Sequence, residues 1–246
     1  MTNSSTHGHV LSRRRALLTG VAVAGVAAGL GGAAPAAAGP TGAGTTPPAA
    51  PDSPAAALAR ILAGNARFRT GHARHPHQTV ADVHRLAAGQ HPFVIVLGCA
   101  DSRVSPEVLF DQGLGDIFDN RVAGTIVDDV VTGSIEYAVA EFASPLLVVL
   151  GHERCGAVAA TVESIEHGTT PPGSIAAVVA ALRPAVEPVL GQPGDPVENG
   201  VRANVRYQVA QLLDRSAIIR DAVAAHALRV VGARYDLDTA AVTLLH

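Results

Sequence analysis

The sequence predicts an α/β fold, a mostly parallel central β-sheet flanked by helices. Phe93-Val-Ile-Val-Leu97 and Leu146-Leu-Val-Val-Leu150 are short runs, apolar on both faces, as strands buried inside a parallel sheet are. Segments with helical patterning lie before, between and after them, and strands alternating with helices are the signature of a parallel sheet. The chain has two cysteines, Cys99 and Cys155, and each falls just past the end of one of these strands. Open α/β sheets gather their sites at those ends.

Residues 1–38 read as an export signal. Ser12-Arg13-Arg14-Arg15 precedes Ala16-Leu17-Leu18 and a long Ala/Gly/Val stretch, and Ala36-Ala37-Ala38 offers a small-residue cleavage site before Gly39. Twin arginines before a weakly apolar segment read as a bacterial Tat signal. The Tat export machinery is therefore an expected partner, and the expected location is outside the cytoplasm, secreted or in the cell envelope. An uncleaved anchor is the alternative: Gly20 to Ala38 is long enough to span a bilayer, but its alanines and glycines make it only mildly apolar. Residues 39–53, rich in Pro, Gly, Ala and Thr, read as a linker. Residues 54–246 form the expected catalytic domain.

Ser53-Pro54 supplies an N-cap and a first helical position for a helix with Leu58, Ile61, Leu62 and Phe68 on one side. The His72–His77 stretch holds three histidines and reads as a solvated loop rather than a metal cluster, since no cysteine or carboxylate accompanies them. A short helix is expected from about Val80 to Ala88. Ser105-Pro106-Glu107 begins another, through Phe110, and Gly115-Asp-Ile-Phe118 leads into a strand ending near Val122. Asp128 and Asp129 suit the positive end of a helix over Val130–Phe142. Tyr137 inside it reads, on its own, as a core tyrosine. A turn over 168–173, helices over Ser174–Leu190 and Pro196–Ser216, a strand over Ala227–Ala233 and a last strand over Val242–Leu245, at the sheet edge or across a dimer, complete the chain. There is no internal repeat.

The chemistry concentrates in two stretches. In Cys99-Ala-Asp101-Ser-Arg103 an extended backbone would point a thiol, a carboxylate and a guanidinium to one side. In Gly151-His152-Glu153-Arg154-Cys155-Gly156, His-x-x-Cys has metal-ligand spacing, and the apolar residues after it start a helix near Cys155. A cysteine at a helix N-terminus has its thiolate favoured. Cys99, His152 and Cys155 are donors of the kind zinc prefers, and three protein ligands with a fourth position free is the catalytic arrangement. A disulfide or two inert buried thiols would leave His152, Asp101 and Arg103 without a reason. Glu153 and Arg154 read as loop charges, with Arg154 a candidate to draw an anion.

Composition excludes other classes. The formal charge of −3 gives no basic footprint, aromatics make up 3% of the residues and tryptophan is absent, so no nucleic-acid partner is expected.

Cys99-Ala-Asp101-Ser-Arg103-Val followed by Gly151-His152-x-x-Cys155-Gly156 resembles the β-class carbonic anhydrases. Asn65-Ala-Arg-Phe68, Gln90-His-Pro-Phe93, Gly115-Asp-Ile-Phe118 and Ser134-Ile-Glu-Tyr-Ala138 extend the resemblance from about residue 55 to the C-terminus. It implies a β-carbonic-anhydrase-like sheet with the two strand ends side by side, one Zn2+ per chain, and an obligate dimer or higher homo-oligomer on whose second subunit the first helix packs. It implies reversible hydration of carbon dioxide to bicarbonate and a proton by a zinc-bound hydroxide. It places Gln90 against the substrate of the adjacent subunit and lines the pocket with Phe118, Val122, Tyr137 and Gly156. Val122-Ala-Gly-Thr125 departs from the family's Asn-Val-Ala-Asn pattern after Arg121 and puts the lining in doubt.

Two thiolates and one imidazole cancel the charge of zinc, leaving a near-neutral centre that still brings water ionisation near neutral pH. Asp101 can accept a hydrogen bond from that water or close the site as a fourth ligand, and a bidentate pair with Arg103 would hold it off the metal. A simple buried salt bridge is the plainer reading of the same pair. Hydrolysis of carbonyl sulfide or carbon disulfide on the same fold, and a non-catalytic zinc or bicarbonate module, are the competing functions.

Overall fold

The computed structural model describes residues 50–246. The export signal expected at 1–38, and the linker up to residue 49, lie outside the described residues. Ser53 Oγ accepts from the N–H of Ala56, and Pro54 takes the first position of α1 (Pro54–Arg69). A reciprocal capping box between Thr79 and Asp82 opens α2 (Val80–Leu86). Then come β1 (Val94–Gly98), α3 (Pro106–Leu109), β2 (Ile117–Arg121), α4 (Asp129–Phe142), β3 (Leu146–His152) and α5 (Gly156–His167). The chain ends with α6 (Ile175–Val186), α7 (Pro196–Arg215), α8 (Ala217–Ala224), β4 (Arg229–Tyr235) and β5 (Val242–Leu245).

The five strands lie in the order β2-β1-β3-β4-β5. β2, β1, β3 and β4 are mutually parallel, and β5 pairs antiparallel with β4 at the edge. Every residue of β1 and β3 is buried, as their unbroken apolar runs require. Alternation along β1 sends Val94 and Val96 to a face covered by Ala57, Leu58 and Ile61 of α1 and by Leu109 and Phe110. Ile95 and Leu97 go to the opposite face, under Ile135 and Ala138 of α4, Val205 and Leu212 of α7 and Ile219 of α8. A third cluster joins Cys99 and Cys155 to Val158 and Val162 of α5, Leu182 and Val186 of α6 and Val201 of α7. It seals the sheet at the C-terminal ends of β1 and β3. α7 lies close to the sheet because Gly151 has no side chain: a Cβ there would stand 2.5 Å from Val205 Cγ2. Among the described residues no helix is long and apolar enough to cross a membrane.

The structure corrects several expectations. The chain does not stay extended over Cys99–Arg103. It turns after Cys99, with the Val104 N–H donating to Asp101 O at 3.0 Å and the Arg103 N–H to Asp101 Oδ1 at 2.9 Å. Tyr137 is 55% exposed rather than in the core. α6 is shorter than expected, because Pro184 removes a donor near its end and the chain tightens into a 3-10 turn over Glu187–Val189. α8 was not expected: Ser216 closes α7 and at once caps the next helix through the Ile219 N–H. β5 pairs with β4 of its own chain. Asp128 is the N-cap of α4, accepting from the Val131 N–H at 2.8 Å, in line with its reading as a capping charge.

Candidate metal centre

β1 and β3 are neighbours in register, with Gly98 opposite Leu150. Cys99 therefore leaves one strand end while His152 closes the next. Arg154, at a left-handed φ of 51°, turns the chain between them and α5, and Cys155 becomes the N-cap of α5. The donor atoms of Cys99, His152 and Cys155 lie within 4.8 Å of one another, and all three residues are buried.

Their hydrogen bonding suits a metal. His152 Nδ1 donates to the Glu153 carbonyl at 2.9 Å, which fixes the tautomer and leaves Nε2 with a free lone pair. That Nε2 is buried without a hydrogen-bond partner. A buried polar atom left unpaired is costly, and a cation between it and two sulfurs removes the cost. The adjacent Cys155 side chain, against burial, holds the Cys99 thiol below its ordinary value. The same pairing, and then burial, push the Cys155 thiol up. A dication between the two sulfurs would favour both as thiolates. The donor set of two sulfurs and one imidazole fits zinc.

Asp101 and Arg103 stand at the open side. Arg103 Nε donates to Asp101 Oδ1 at 2.9 Å and Nη2 to Oδ2 at 2.7 Å, a bidentate pair. This bond, outweighing burial, holds the Asp101 carboxyl far below the usual carboxylate range. Asp101 Oδ2 is 3.9 Å from His152 Nε2. The carboxylate is mostly shielded, at 17% exposure, while Arg103 is 53% exposed.

Sequence reasoning gave Arg121 no role. It closes β2, opposite Gly98, and straps the turn by donating from Nε to the Cys99 carbonyl at 2.9 Å and from Nη2 to the Asp101 carbonyl at 2.5 Å. Its one signal was its place at a third strand end. Arg154 is committed to Asp238, at 2.9 and 2.7 Å, and to Glu153 at 3.3 Å. The acidic group Glu153, Asp236 and Asp238 is in turn cross-tied by Arg154 and Arg234, so it reads as an ion-pair network. The His72–His77 loop adds no ligand set among the described residues; His77 pairs with Asp116 at 3.1 Å.

The other expected site residues are scattered within one chain. Val122 is beside the metal loop, its carbonyl accepting from the Ala100 N–H at 3.3 Å, and Gly156 follows Cys155 at the exposed start of α5. Phe118 pairs with Ile95, about 10 Å back along the strand from the Gly98–Arg121 pair. There it packs with Tyr137 and Phe142 at ring separations of 6.2 and 5.8 Å. Gln90 precedes β1, at the opposite end of the sheet from Cys99, in an open groove with Val83, Leu86 and Leu114.

A mostly parallel sheet with two buried cysteines, a histidine and a guarded carboxylate at its C-terminal end is the architecture of an α/β enzyme with a candidate metal centre. The profile of the carbonic anhydrase family matches residues 94–242. Carbonic anhydrase 2 of Mycobacterium tuberculosis is 46% identical over 166 residues, covering 67% of this chain and 79% of that protein. A carbonic anhydrase of Mycolicibacterium smegmatis is 42% identical over 172 residues, covering 69% and 82%. Among solved structures, a tetrameric β-carbonic anhydrase of Sordaria macrospora superposes with a TM-score of 0.62 at 25% identity, covering 76% of this chain and 96% of that one. A Coccomyxa β-carbonic anhydrase in complex with acetazolamide gives 0.59 at 27% identity, covering 76% and 86%. The chain belongs to the carbonic anhydrase family, in its β class, and is an enzyme of that family.

Proposed function

We propose that this protein hydrates carbon dioxide reversibly to bicarbonate and a proton, with one zinc ion held by Cys99, His152 and Cys155. The observation that carries the reading is the buried, unpartnered Nε2 of His152, with its tautomer fixed from behind by the Glu153 carbonyl and two cysteines beside it. Zinc, when bound, supplies the Lewis acidity that brings water ionisation near neutral pH. Asp101 accepts a hydrogen bond from the attacking water and orients it toward the carbon. Arg103 keeps both carboxylate oxygens engaged, so Asp101 acts as an acceptor rather than a ligand. Arg121 fixes the backbone between Cys99 and Asp101, so thiolate and carboxylate keep one spacing. The released proton leaves on the solvent side, where Arg103 is exposed.

Gln90, Phe118 and Tyr137 reach a metal centre only if a second copy brings them there, and a dimer or higher oligomer is part of the proposal. Export by the Tat route is proposed from Arg13, Arg14 and Arg15. Changing all three to lysine keeps the charge and should abolish appearance of the protein outside the cytoplasm; unchanged export would refute that route.

The rival reaction is hydrolysis of carbonyl sulfide or carbon disulfide. Stopped-flow hydration of carbon dioxide and sulfide release from carbonyl sulfide, measured on one preparation, separate them. Hydration at least a hundredfold faster, per metal, supports the proposal; the reverse ranking overturns it.

A further inference from the structure

The two residues between His152 and Cys155 are braced from outside the metal centre, by the turn that joins β4 to β5. β3 and β4 pair in register as far as His152 and Tyr235, and the Glu153 N–H adds one bond more, to the Tyr235 carbonyl at 2.9 Å. The Glu153 carboxylate then reaches into the turn, where Oε2 accepts the Leu237 N–H at 3.0 Å. Its Oε1 lies 3.5 Å from Arg234 Nη2 and 3.3 Å from Arg154 Nη1. The peptide carbonyl of this same residue accepts from His152 Nδ1 at 2.9 Å. Glu153 thus grips the turn with its side chain and the imidazole with its backbone.

The turn has its own internal ties. Asp236 Oδ1 accepts the N–H groups of Asp238 and Thr239 at 3.0 and 2.8 Å, and the Asp236 N–H donates to the Ala241 carbonyl at 2.8 Å. Arg234, 9% exposed, links the turn to α7 by donating to Asp236 Oδ2 at 2.6 Å and to Glu198 Oε2 at 3.0 Å. From the same turn, Asp238 accepts from Nη1 and Nη2 of Arg154 at 2.9 and 2.7 Å. The φ of 51° at Arg154 is sparsely populated for a residue with a side chain, and it persists only where neighbours over-determine it. Exposed ion pairs are weak stabilisers, and buried ones are offset by their own desolvation. The stronger consequence of this network is a single geometry for the His152–Cys155 loop.

We propose that Glu153 is a positioning residue for the metal centre, clamped by the β4–β5 turn so that its carbonyl holds the His152 ring in the orientation a metal needs, with Asp238 supporting the same loop through Arg154. The inference deepens the zinc reading above and rests on it. A group bonded behind a ligating histidine fixes the ring, and losing such a group weakens metal binding by roughly ten- to hundredfold.

The test uses the full chain, loaded with zinc to follow metal transfer to an excess of coloured chelator and with cobalt(II) to record the visible bands that report ligand geometry. Glu153→Ala removes the clamp, and should speed zinc release by roughly ten- to hundredfold and displace the cobalt bands. Glu153→Gln keeps an acceptor for the Leu237 N–H, and should stay within about threefold of wild type with the bands in place. Asp238→Ala frees Arg154 and should speed release by roughly threefold or more. Arg215→Ala is the control: it breaks a 3.0 Å ion pair with Asp129 at the start of α4 and should move neither reading. If Glu153→Ala does not fold, Asp238→Ala, which alters an exposed pair, decides by the same two readings. Release and bands unmoved in Glu153→Ala overturn the proposal, and so does a Glu153→Gln protein that behaves as Glu153→Ala does. Release unmoved in Asp238→Ala overturns the supporting role of Asp238. Wild-type protein that takes up neither zinc nor cobalt would overturn the zinc reading instead.

Discussion

Arg103 donates twice to a carboxylate that stands 3.9 Å from the unpartnered nitrogen of His152. Without it, Asp101 is an unengaged anion beside the proposed zinc site, free to act as a ligand there. Arg103→Ala should therefore lower turnover by about two orders of magnitude or more while the metal stays bound. Asp101→Asn should keep the position open, since a neutral amide is a poor zinc ligand, and should retain part of the activity with a displaced pH profile. Metal analysis and pH–rate curves on both variants check this. Near-normal turnover in Arg103→Ala would reduce the pair to a salt bridge. At this scale much of the site was legible. Two cysteines, one His-x-x-Cys spacing and one Asp-x-Arg after strand-like runs mark the residues the structure brings together. Asn204 and Gln208, buried amides of α7 that bond the Gly124 carbonyl and the Val127 N–H, were not legible, because polar residues one turn apart on a long helix look the same in sequence whether they face water or a buried turn.

At the scale of elements, the junction of α1 with the loop after α3 depends on Asp111. Its side chain is fully buried at φ 47° and accepts from Arg67 Nε at 2.6 Å, the Arg74 N–H at 2.8 Å and the His75 N–H at 2.9 Å. Burial alone would push its carboxyl up, but the bonds from Arg67, His75 and Arg74 outweigh it and hold the carboxyl below its ordinary value. A depressed carboxylate stabilises the fold above its unfolded value near 3.9 and stops doing so as pH falls through the lower folded value. Asp111→Asn should cost about 2 kcal/mol at pH 7. The gap in melting temperature between wild type and variant should narrow below about pH 4; a gap independent of pH would contradict the ionic role. The elements themselves were readable in proportion to how local their causes are. β1 and β3 announce themselves as unbroken apolar runs, and Ser53-Pro54 and Asp128 as caps. The turn after Cys99 and the break at Ser216 are set by side chains bonding their own neighbours, Asp101 to the Arg103 N–H and Ser216 to the Ile219 N–H, against sequences that also continue smoothly.

Across the whole molecule, one chain places Gln90 and the Phe118–Tyr137 pair away from the candidate metal centre, on the far end and the β2 edge of the sheet. Val83 and Leu114, at 50% and 46% exposed, flank Gln90, and Tyr137 and Val130 are exposed at 55% and 82% on α4, which packs near β2. Such exposed apolar surface suits the proposed contact with another copy. Light scattering should give a dimer or a larger even-numbered assembly, and Val83→Asp with Leu114→Asp should weaken it and lower activity together; a fully active monomer would refute the shared site. The proposed zinc centre is tested most directly by counting metal in purified wild type and Cys155→Ser while recording carbon dioxide hydration on the same samples. One zinc per chain with rapid hydration in the wild type, and both lost in the variant, is the expected result. Stoichiometric zinc retained in Cys155→Ser, or rapid hydration by metal-free protein, would contradict it.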